Sequence, residues 1–146
     1  MALESMKLED IQSLAEKELR ISEDLGLESK KNTDLFLKFL KIHSTEKLVL
    51  LKMQNSYNKL LLQRRQYYLG QGSVEDYRKE PQDIKVLRQD ADLYLNADSL
   101  VSKEQLALGL QKEKVECTEA ILKHIQNRGF QISKMIEWQK FTNGVN

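Results

Sequence analysis

Hydrophobic residues recur at helical spacing along most of this chain. Near the start, one side of a predicted helix over residues 7–20 carries Leu8, Ile11, Leu14, Ala15 and Leu19. Acidic side chains at its beginning suit the positive end of the helix dipole. Residues 22–32 are polar and include a glycine, which predicts a loop or a broken helix.

The longest regular pattern runs from Asp34 to about Leu69, where the sequence holds neither glycine nor proline. It predicts one helix of up to ten turns, with an apolar seam on one face. At about 100° per residue, Lys52 and Lys59 fall within about 20° of Lys41, on the face opposite the seam. Arg64 interrupts the seam near its end, as a snorkelling cap or a ligand contact. The seam consists of Phe39, Leu50, Met53, Tyr57, Leu61 and Tyr68.

Glycines and charge divide the rest of the chain. Gly70 is well placed to end the long helix in the left-handed conformation. Residues 71–101 are acidic and less regular, and residues 84–87 fit a short strand or part of a helix. Helical spacing resumes at 102 and runs to 127. Arg128-Gly129-Phe130 predicts a break before a final helix that ends at Gly144.

These patterns predict a mainly α protein of one domain, residues 1–146. Its parts are a basic helix over about 34–70, an irregular acidic segment over 71–101 and C-terminal helices over 102–144. Charged residues make up 31% of the chain and hydrophobic ones 40%, with a single proline, which favours long helices over a thick core.

The same composition places the protein in a soluble, intracellular class. The sequence holds no apolar run of membrane-spanning length. The first ten residues are acidic and lack the features of a signal peptide. Cys117 is the only cysteine, so an intrachain disulfide is impossible and a reducing compartment is expected.

Charge is segregated along the chain although the total is only +1. Residues 38–74 contain seven basic side chains and one acid, Glu46, whereas 1–37 and 75–104 are net acidic. A basic block of this kind is typical of a protein that binds the phosphate backbone of nucleic acid. A solvated helix face is the commoner meaning of a lysine-rich stretch, and the run alone does not decide between them.

Catalytic and metal-binding patterns are missing from the sequence. His43 and His124 are far apart, and no cluster of histidine, cysteine and acid has metal-ligand spacing. No glycine-rich phosphate loop is present. Cys117 lies on an apolar stripe with no neighbouring base, which favours a small core residue over a nucleophile. We therefore expect no metal, no cofactor and no enzymatic activity.

The densest candidate site is the end of the long helix, where Arg64 and Arg65 precede Tyr67 and Tyr68 by about one turn. Arginine binds phosphate in a bidentate manner, and tyrosine stacks on unpaired bases. The combination suits single-stranded DNA or RNA without sequence readout. Equally, the tyrosines could pack in the core while the arginines face solvent. The predicted DNA-binding residues are Lys41, Lys52, Lys59, Arg64, Arg65, Tyr67 and Tyr68.

Three motifs in register resemble the UvsY recombination mediators of T-even-like phages and cyanophages. They are Arg64-x-x-Tyr67-Tyr68-x-Gly70, the upstream Lys38-x-Leu40-x-x-His43-Ser44 and the C-terminal Ile125-x-x-Arg128-Gly129-Phe130-x-Ile132. The stretches from Phe130 to Phe141 and from Tyr94 to Asp98 are similar to cyanophage members. The resemblance covers most of residues 8–144.

The resemblance implies a non-enzymatic accessory factor in homologous recombination, repair and recombination-dependent replication. Such factors bind single-stranded DNA as a ring-like homo-oligomer of about six or seven protomers, in the cytoplasm of the infected bacterium. They help a RecA-like recombinase displace the single-stranded-DNA-binding protein. The family's DNA-binding motif has a basic residue at the position of Arg64. A second basic position is Leu62 here, for which Arg65 and Lys59 are hypothesised to compensate.

The C-terminal helices carry more apolar positions than one small bundle needs, which predicts self-association. The alternative is that they cover the protomer's own core. A further alternative for the whole chain is a coiled-coil scaffold without nucleic-acid binding. The predicted oligomerisation residues are Leu106, Leu110, Ile121, Ile125, Phe130, Ile136, Trp138 and Phe141.

Overall fold

The computed structural model describes residues 4–144 and confirms a mainly α protein with long helices. The first three residues of the acidic start lie outside this range, and the prediction of a single domain stays a prediction. The helices are α1 (Leu8–Glu18), α2 (Leu25–Tyr68), α3 (Val74–Lys79), α4 (Ala91–Ala97) and α5 (Ser99–Thr142), with a 3₁₀ turn at Arg88–Asp90.

The chain divides into two compact units. Unit 1 contains Met1–Val49 and Lys112–Asn146, and unit 2 contains Leu50–Gln111. Helices α2 and α5, each of 44 residues, contribute to both units. No helix in the described range has a stretch long and apolar enough to cross a membrane.

The start of α2 corrects the prediction of a loop or a broken helix over 22–32, because one continuous helix already begins at Leu25 rather than near Asp34. The Asp24 carboxylate accepts a hydrogen bond from the Leu27 N–H at 3.1 Å, as an N-capping side chain does. Gly26 lies in the first turn, where its low helix propensity matters less than in a helix interior. The polar composition of this stretch reflects a helix start.

The core of unit 1 joins α1, α2 and α5. Ile11 and Ala15 of α1 lie on the side predicted from the spacing, and α1 itself is confirmed. They pack with aliphatic and aromatic side chains of the two long helices, and Cys117 borders the same cluster. The other members of the core cluster are Leu35, Phe39, Ile121 and Ile125.

Buried polar pairs connect α2 and α5 within unit 1. His43 Nδ1 lies 2.7 Å from Thr118 Oγ1, and the Lys114 ammonium lies 3.0 Å from the Glu46 carboxylate. Glu46 is the only acid of the basic stretch, and it also accepts hydrogen bonds from Ser5 Oγ at 3.0 Å. The residue numbers of the paired side chains increase along α2 and decrease along α5, so the two helices are antiparallel in this unit.

Arg128 explains why the predicted break at 128–130 is wrong: α5 runs through it as one helix. The side chain is 0% exposed and donates to the carbonyl oxygens of Leu19 and Arg20, just beyond the end of α1. It also donates to the Glu28 carbonyl and carboxylate and to Asn32 Oδ1 near the start of α2. A glycine at the next position suits this packing, because a Cβ on Gly129 would lie 3.3 Å from Asn32 Nδ2.

Unit 2 contains the short elements of the acidic segment. A capping box starts α3: Ser73 Oγ accepts from the Asp76 N–H at 3.2 Å, and Asp76 accepts from the Ser73 N–H at 3.0 Å. Residues 84–87 form neither a strand nor a helix, which corrects both expectations, although Val86 is buried. The boundary at 101/102 also shifts, since α5 begins at Ser99. The other buried hydrophobic side chains in unit 2 are Tyr67, Ala91, Leu95, Val101 and Leu108.

The end of α2 is confirmed. Gly70 has a φ of 77°, the left-handed conformation that glycine adopts without steric cost. The Gly70 N–H donates to the Tyr67 carbonyl at 3.2 Å, and the Gln71 N–H donates to the Gln66 carbonyl at 2.8 Å. This pair of bonds is a Schellman motif, and it fixes the direction in which the chain leaves the helix.

Candidate nucleic-acid interface

Three of the predicted DNA-binding residues are lysines of α2 with exposed side chains. Lys41 lies in the unit 1 part of the helix, and Lys52 and Lys59 lie in the unit 2 part. Within residues 4–144 none of the three forms an ion pair, whereas Lys38 pairs with Glu18 at 3.1 Å. Their ammonium groups are therefore available to an external anion.

Arg64 lies in a different environment, the interior of unit 2. It is 9% exposed, and its Nε donates to Asp98 Oδ2 at 2.8 Å. Its two terminal nitrogens donate to the Glu80 carboxylate at 3.1 and 3.4 Å. Both carboxylates belong to the segment that follows α2, so the arginine ties that segment to the helix.

The tyrosines of the motif complete this network. The Arg64 Cζ lies 4.4 Å from the centroid of the Tyr67 ring and 5.2 Å from that of Tyr68, within cation–π range. Tyr67 Oη donates to the Glu80 carbonyl at 2.6 Å, and Tyr68 Oη donates to Asp98 at 2.6 Å. Tyr67 is buried and stacks on Tyr77, with centroids 5.2 Å apart.

Burial and hydrogen bonding shift the pKa values of this network in opposite directions. Burial would raise the pKa of Asp98, but hydrogen bonds from Tyr68, the Val101 N–H and Arg64 bring it below its ordinary value. Burial, followed by the hydrogen bond to Asp98, raises the pKa of Tyr68. The network therefore consists of an arginine cation, an ionised Asp98 and neutral tyrosines at neutral pH.

Arg65 shares neither the burial of Arg64 nor the face of the lysines. Its side chain is 44% exposed and pairs with Asp92 of α4, whose side chain is 76% exposed. Helix geometry places it about 120° around the axis from Lys41. The structure thus brings Arg64, Tyr67 and Tyr68 together in one network, and it leaves Arg65 and the lysines outside it.

The acidic partners were not predicted as site residues. Asp98, Glu80 and Asp92 all come from the net acidic segment that follows the basic stretch in sequence. Adjacent segments of opposite charge were the signal that could have found them. Asp98, the most buried of these three acids, also lies at the end of the Tyr94–Asp98 stretch that resembles cyanophage members.

The predicted oligomerisation residues fall into two groups. Ile121 and Ile125 are buried in the core of unit 1. For these two residues, the burial agrees with the alternative that the C-terminal helices cover the protomer's own core. Ile136 is partly buried. Trp138 stacks on Phe141 with ring centroids 5.9 Å apart, although both side chains are largely exposed. The remaining exposed members are Leu106, Leu110 and Phe130.

The described part of the chain contains few side chains arranged for catalysis or metal binding. Between residues 4 and 144 no group of three histidine, cysteine, aspartate or glutamate side chains could hold a metal ion. Burial raises the pKa of the Cys117 thiol, with Glu113 adding to the effect, so the thiolate nucleophile is disfavoured.

A family model decides the relationship of the chain. The model described as "Recombination, repair and ssDNA binding protein UvsY" matches residues 13–145. The chain belongs to the UvsY family. The resemblance inferred from the three motifs is confirmed. UvsY is not a known enzyme family, and membership supports a role as a recombination mediator.

Individual UvsY proteins agree with the family match. The "Recombination protein uvsY" of Enterobacteria phage T4 is 29% identical over 143 residues, which are 95% of this chain and 99% of that protein. Crystal structures of the phage T4 recombination mediator protein UvsY match at 27% identity, with TM-scores of 0.85 and 0.84 in two lattice types. They cover 94% and 93% of this chain and 98% and 99% of theirs.

Proposed function

We propose that this protein is a recombination mediator that binds single-stranded DNA without sequence readout, through lysines rather than through the buried arginine. The observation that carries the proposal is the free state of Lys41, Lys52 and Lys59, which are exposed and without an acidic partner among residues 4–144. Phosphate contacts of this kind give affinity without base selection, which suits a factor that must act on any strand.

The proposed mode of action uses many weak contacts. Three lysines per protomer give a dependence of log affinity on log salt with a slope of about −2 for single strands. A closed homo-oligomer of about six or seven protomers multiplies these contacts through effective concentration and still releases the strand stepwise. We propose that its partners are a phage RecA-like recombinase, which it loads, and the single-stranded-DNA-binding protein that the recombinase displaces. Its site of action would be the cytoplasm of the infected bacterial host.

Self-association is proposed through the exposed members of the predicted oligomerisation set. The stacked Trp138 and Phe141 present a large aromatic surface near the end of α5. Aromatic residues are enriched in protein interfaces, since burying them excludes much water at little entropic cost. Replacing both with serine should produce smaller species in light scattering without loss of helical signal, because neither belongs to the core cluster of unit 1.

The DNA proposal is tested by titrating fluorescent oligo-dT at several salt concentrations. Replacing Lys41, Lys52 and Lys59 with glutamine should lower the affinity at least tenfold and flatten the salt dependence. A matched control removes three exposed lysines of α5, Lys112, Lys123 and Lys134, which changes the net charge equally. If both triple variants lose the same affinity, total charge rather than these lysines of α2 governs binding.

Recombinase loading requires its own assay. On oligo-dT covered with the single-stranded-DNA-binding protein, the recombinase ATPase should show a long lag that wild-type protein shortens. The variant without the three α2 lysines should leave the lag nearly unchanged. A lag that is insensitive to wild-type protein contradicts the mediator proposal even where DNA binding is intact.

A coiled-coil scaffold without nucleic-acid binding has one observation in its favour. Helix α2 exposes several leucines, including Leu37, Leu48, Leu51 and Leu62, which a partner helix could cover. The same titration separates the two functions. The scaffold predicts no affinity for oligo-dT even at low salt.

A further inference from the structure

Tyr57 differs from the other tyrosines of the chain. Within residues 4–144 its ring contacts no other aromatic ring and its hydroxyl has no hydrogen-bond partner, although it is partly exposed on α2. The rings of the other four tyrosines contact one another; these are Tyr67, Tyr68, Tyr77 and Tyr94. In unit 2, the tyrosine ring that is left to stack on a ligand is therefore Tyr57.

A cavity of about 490 Å³ lies against this ring, inside unit 2. Its walls come from α2 and α4, and Leu61, Leu62 and Leu95 supply the apolar part. Tyr57, Arg65, Asp92 and Asn96 supply the aromatic and polar part. The cavity volume lies within the range of small-molecule sites in proteins. The flat tyrosine ring suits the base of one nucleotide, and the nearby arginine cation suits its phosphate.

The spacing of Tyr57 and Arg65 fits a base and its phosphate. They lie eight residues apart on one helix, which is about 12 Å along the axis. Helical side chains lean toward the N-terminus, so the long arginine side chain extends in the direction of the tyrosine. A base on the ring would thus have its phosphate on the side of the guanidinium. The Asn96 amide offers both a donor and an acceptor and selects no particular base.

Arg65 is also the arginine of the motif whose partner can be exchanged. Its ion pair with Asp92 is exposed on both sides, and exposed pairs contribute little to stability. A phosphate can accept two parallel hydrogen bonds from the same guanidinium. Arg64 is different, because leaving the buried Asp98 without its cation would carry a large cost.

We propose that this cavity is a nucleotide subsite for single-stranded DNA, in which one base stacks on Tyr57 and the adjoining phosphate replaces Asp92 on Arg65. The inference rests on the proposed DNA binding and deepens it, since it places the stacking contact outside the tyrosine pair of the motif. Asp92 acts as the occupant of the phosphate position in the free protein.

Photocrosslinking tests the stacking contact directly. Oligo-dT containing 5-iododeoxyuridine is bound to the full-length protein and irradiated, and the crosslinked residue is identified by mass spectrometry. The expected product is on Tyr57. A crosslink on Tyr67 or Tyr68 without one on Tyr57 overturns the inference while the proposed DNA binding stands.

Affinity measurements on variants complete the test. Tyr57→Phe should bind oligo-dT as the wild type does, whereas Tyr57→Leu should lose about tenfold. Asp92→Asn should gain about two- to fivefold, because the phosphate no longer competes with a carboxylate. Glu75→Gln removes the same charge from an exposed side chain of α3 and should have a smaller effect.

The outcomes separate the two proposals. Equal affinities for wild type, Tyr57→Leu and Asp92→Asn overturn the subsite alone. Absence of binding by all of them at low salt overturns the subsite and the DNA-binding function together. If Tyr57→Leu fails to fold, as judged by circular dichroism, the crosslink and the Asp92→Asn affinity still decide.

Discussion

Each unit of the molecule buries one arginine from a family-like motif, and the two are held by different kinds of partner. Arg128 in unit 1 donates mainly to backbone carbonyls where α1 ends and near where α2 begins, with Glu28 as its counter-ion. Arg64 in unit 2 donates to the Asp98 and Glu80 carboxylates and lies against two tyrosine rings. One partner of Arg64, the Glu80 side chain, is 57% exposed.

The difference shows how far a basic motif residue can be interpreted from its charge. Arg128 satisfies the Leu19 and Arg20 carbonyl groups that the end of α1 leaves without helical partners, and it also binds the start of α2, so its role is to join three helices. Arg64 joins α2 to the acidic segment, but one side of its network is open to water. Neither guanidinium is free in the way that the Lys52 ammonium is within residues 4–144, because buried carboxylates already hold both of them.

The largest expected effect is that of Arg128→Ala. It leaves the Glu28 carboxylate buried without a cation and several carbonyls without donors, so we expect the free energy of unfolding to fall by about 3–5 kcal/mol. Urea unfolding followed by circular dichroism at a fixed protein concentration measures it. Arg20→Ala serves as control, because Arg20 is exposed and pairs only weakly with Glu16. A loss below about 1 kcal/mol for Arg128→Ala would make the arginine dispensable.

Arg64→Ala and Arg65→Ala form the next comparison, since the two residues are neighbours with opposite burial. We expect a loss of about 3 kcal/mol for Arg64→Ala, because Asp98 remains buried without its cation. For Arg65→Ala we expect less than about 1 kcal/mol, since its ion pair is exposed. The same urea titrations measure both variants. Equal losses would show that the network around Arg64 adds nothing beyond a surface ion pair.

The pH dependence of stability tests the Asp98 ion pair of unit 2. Because the pKa of folded Asp98 lies below its ordinary value of 3.8, its ionised form contributes stability at neutral pH. That contribution should decline as pH falls through the ordinary value and vanish below the lowered one. The difference in unfolding free energy between wild type and Asp98→Asn, measured from pH 7 to 3, should therefore shrink in acid. A difference that stays constant to pH 3 would contradict the ion pair.

Two glycines of α5 give the smallest effect and a matched pair. Gly109→Ala should stabilise by about 0.5–1 kcal/mol, because no atom of residues 4–144 other than the local helix backbone and the adjacent residues lies within 4 Å of the added Cβ, and alanine favours helix. Gly129→Ala should gain nothing, because Asn32 blocks the methyl group and is itself bound to the Ile125 carbonyl at 3.1 Å. Thermal unfolding compares them. A gain at both positions would show that Asn32 can move aside.

Helical periodicity predicted the elements better than it predicted the partners of individual side chains. The seam of α2 and the exposure of Lys41 follow from a 3.6-residue repeat, which is a local property. The close packing that favours glycine at position 129 of α5 comes from Asn32, a residue almost a hundred positions away. The partners of Arg64 come likewise from a segment whose path no local pattern fixes. The sequence left Arg64 open as a snorkelling cap, a ligand contact or a solvent-facing side chain, and the structure places it in a buried ion pair with Asp98.

The polar pairs of unit 1 also fix the register of α2 and α5 within that unit. Sliding one helix by a single turn, about 5.4 Å, would part Glu46 from Lys114 and His43 from Thr118 at the same time. Each shifted register would bury the Glu46 or Lys114 charge without its partner. The polar pairs therefore select one register, whereas an all-leucine interface would tolerate several. A four-residue insertion between Lys114 and Thr118 of α5 would put the two pairs out of register with each other, so it should lower the free energy of unfolding far more than an insertion beyond Trp138.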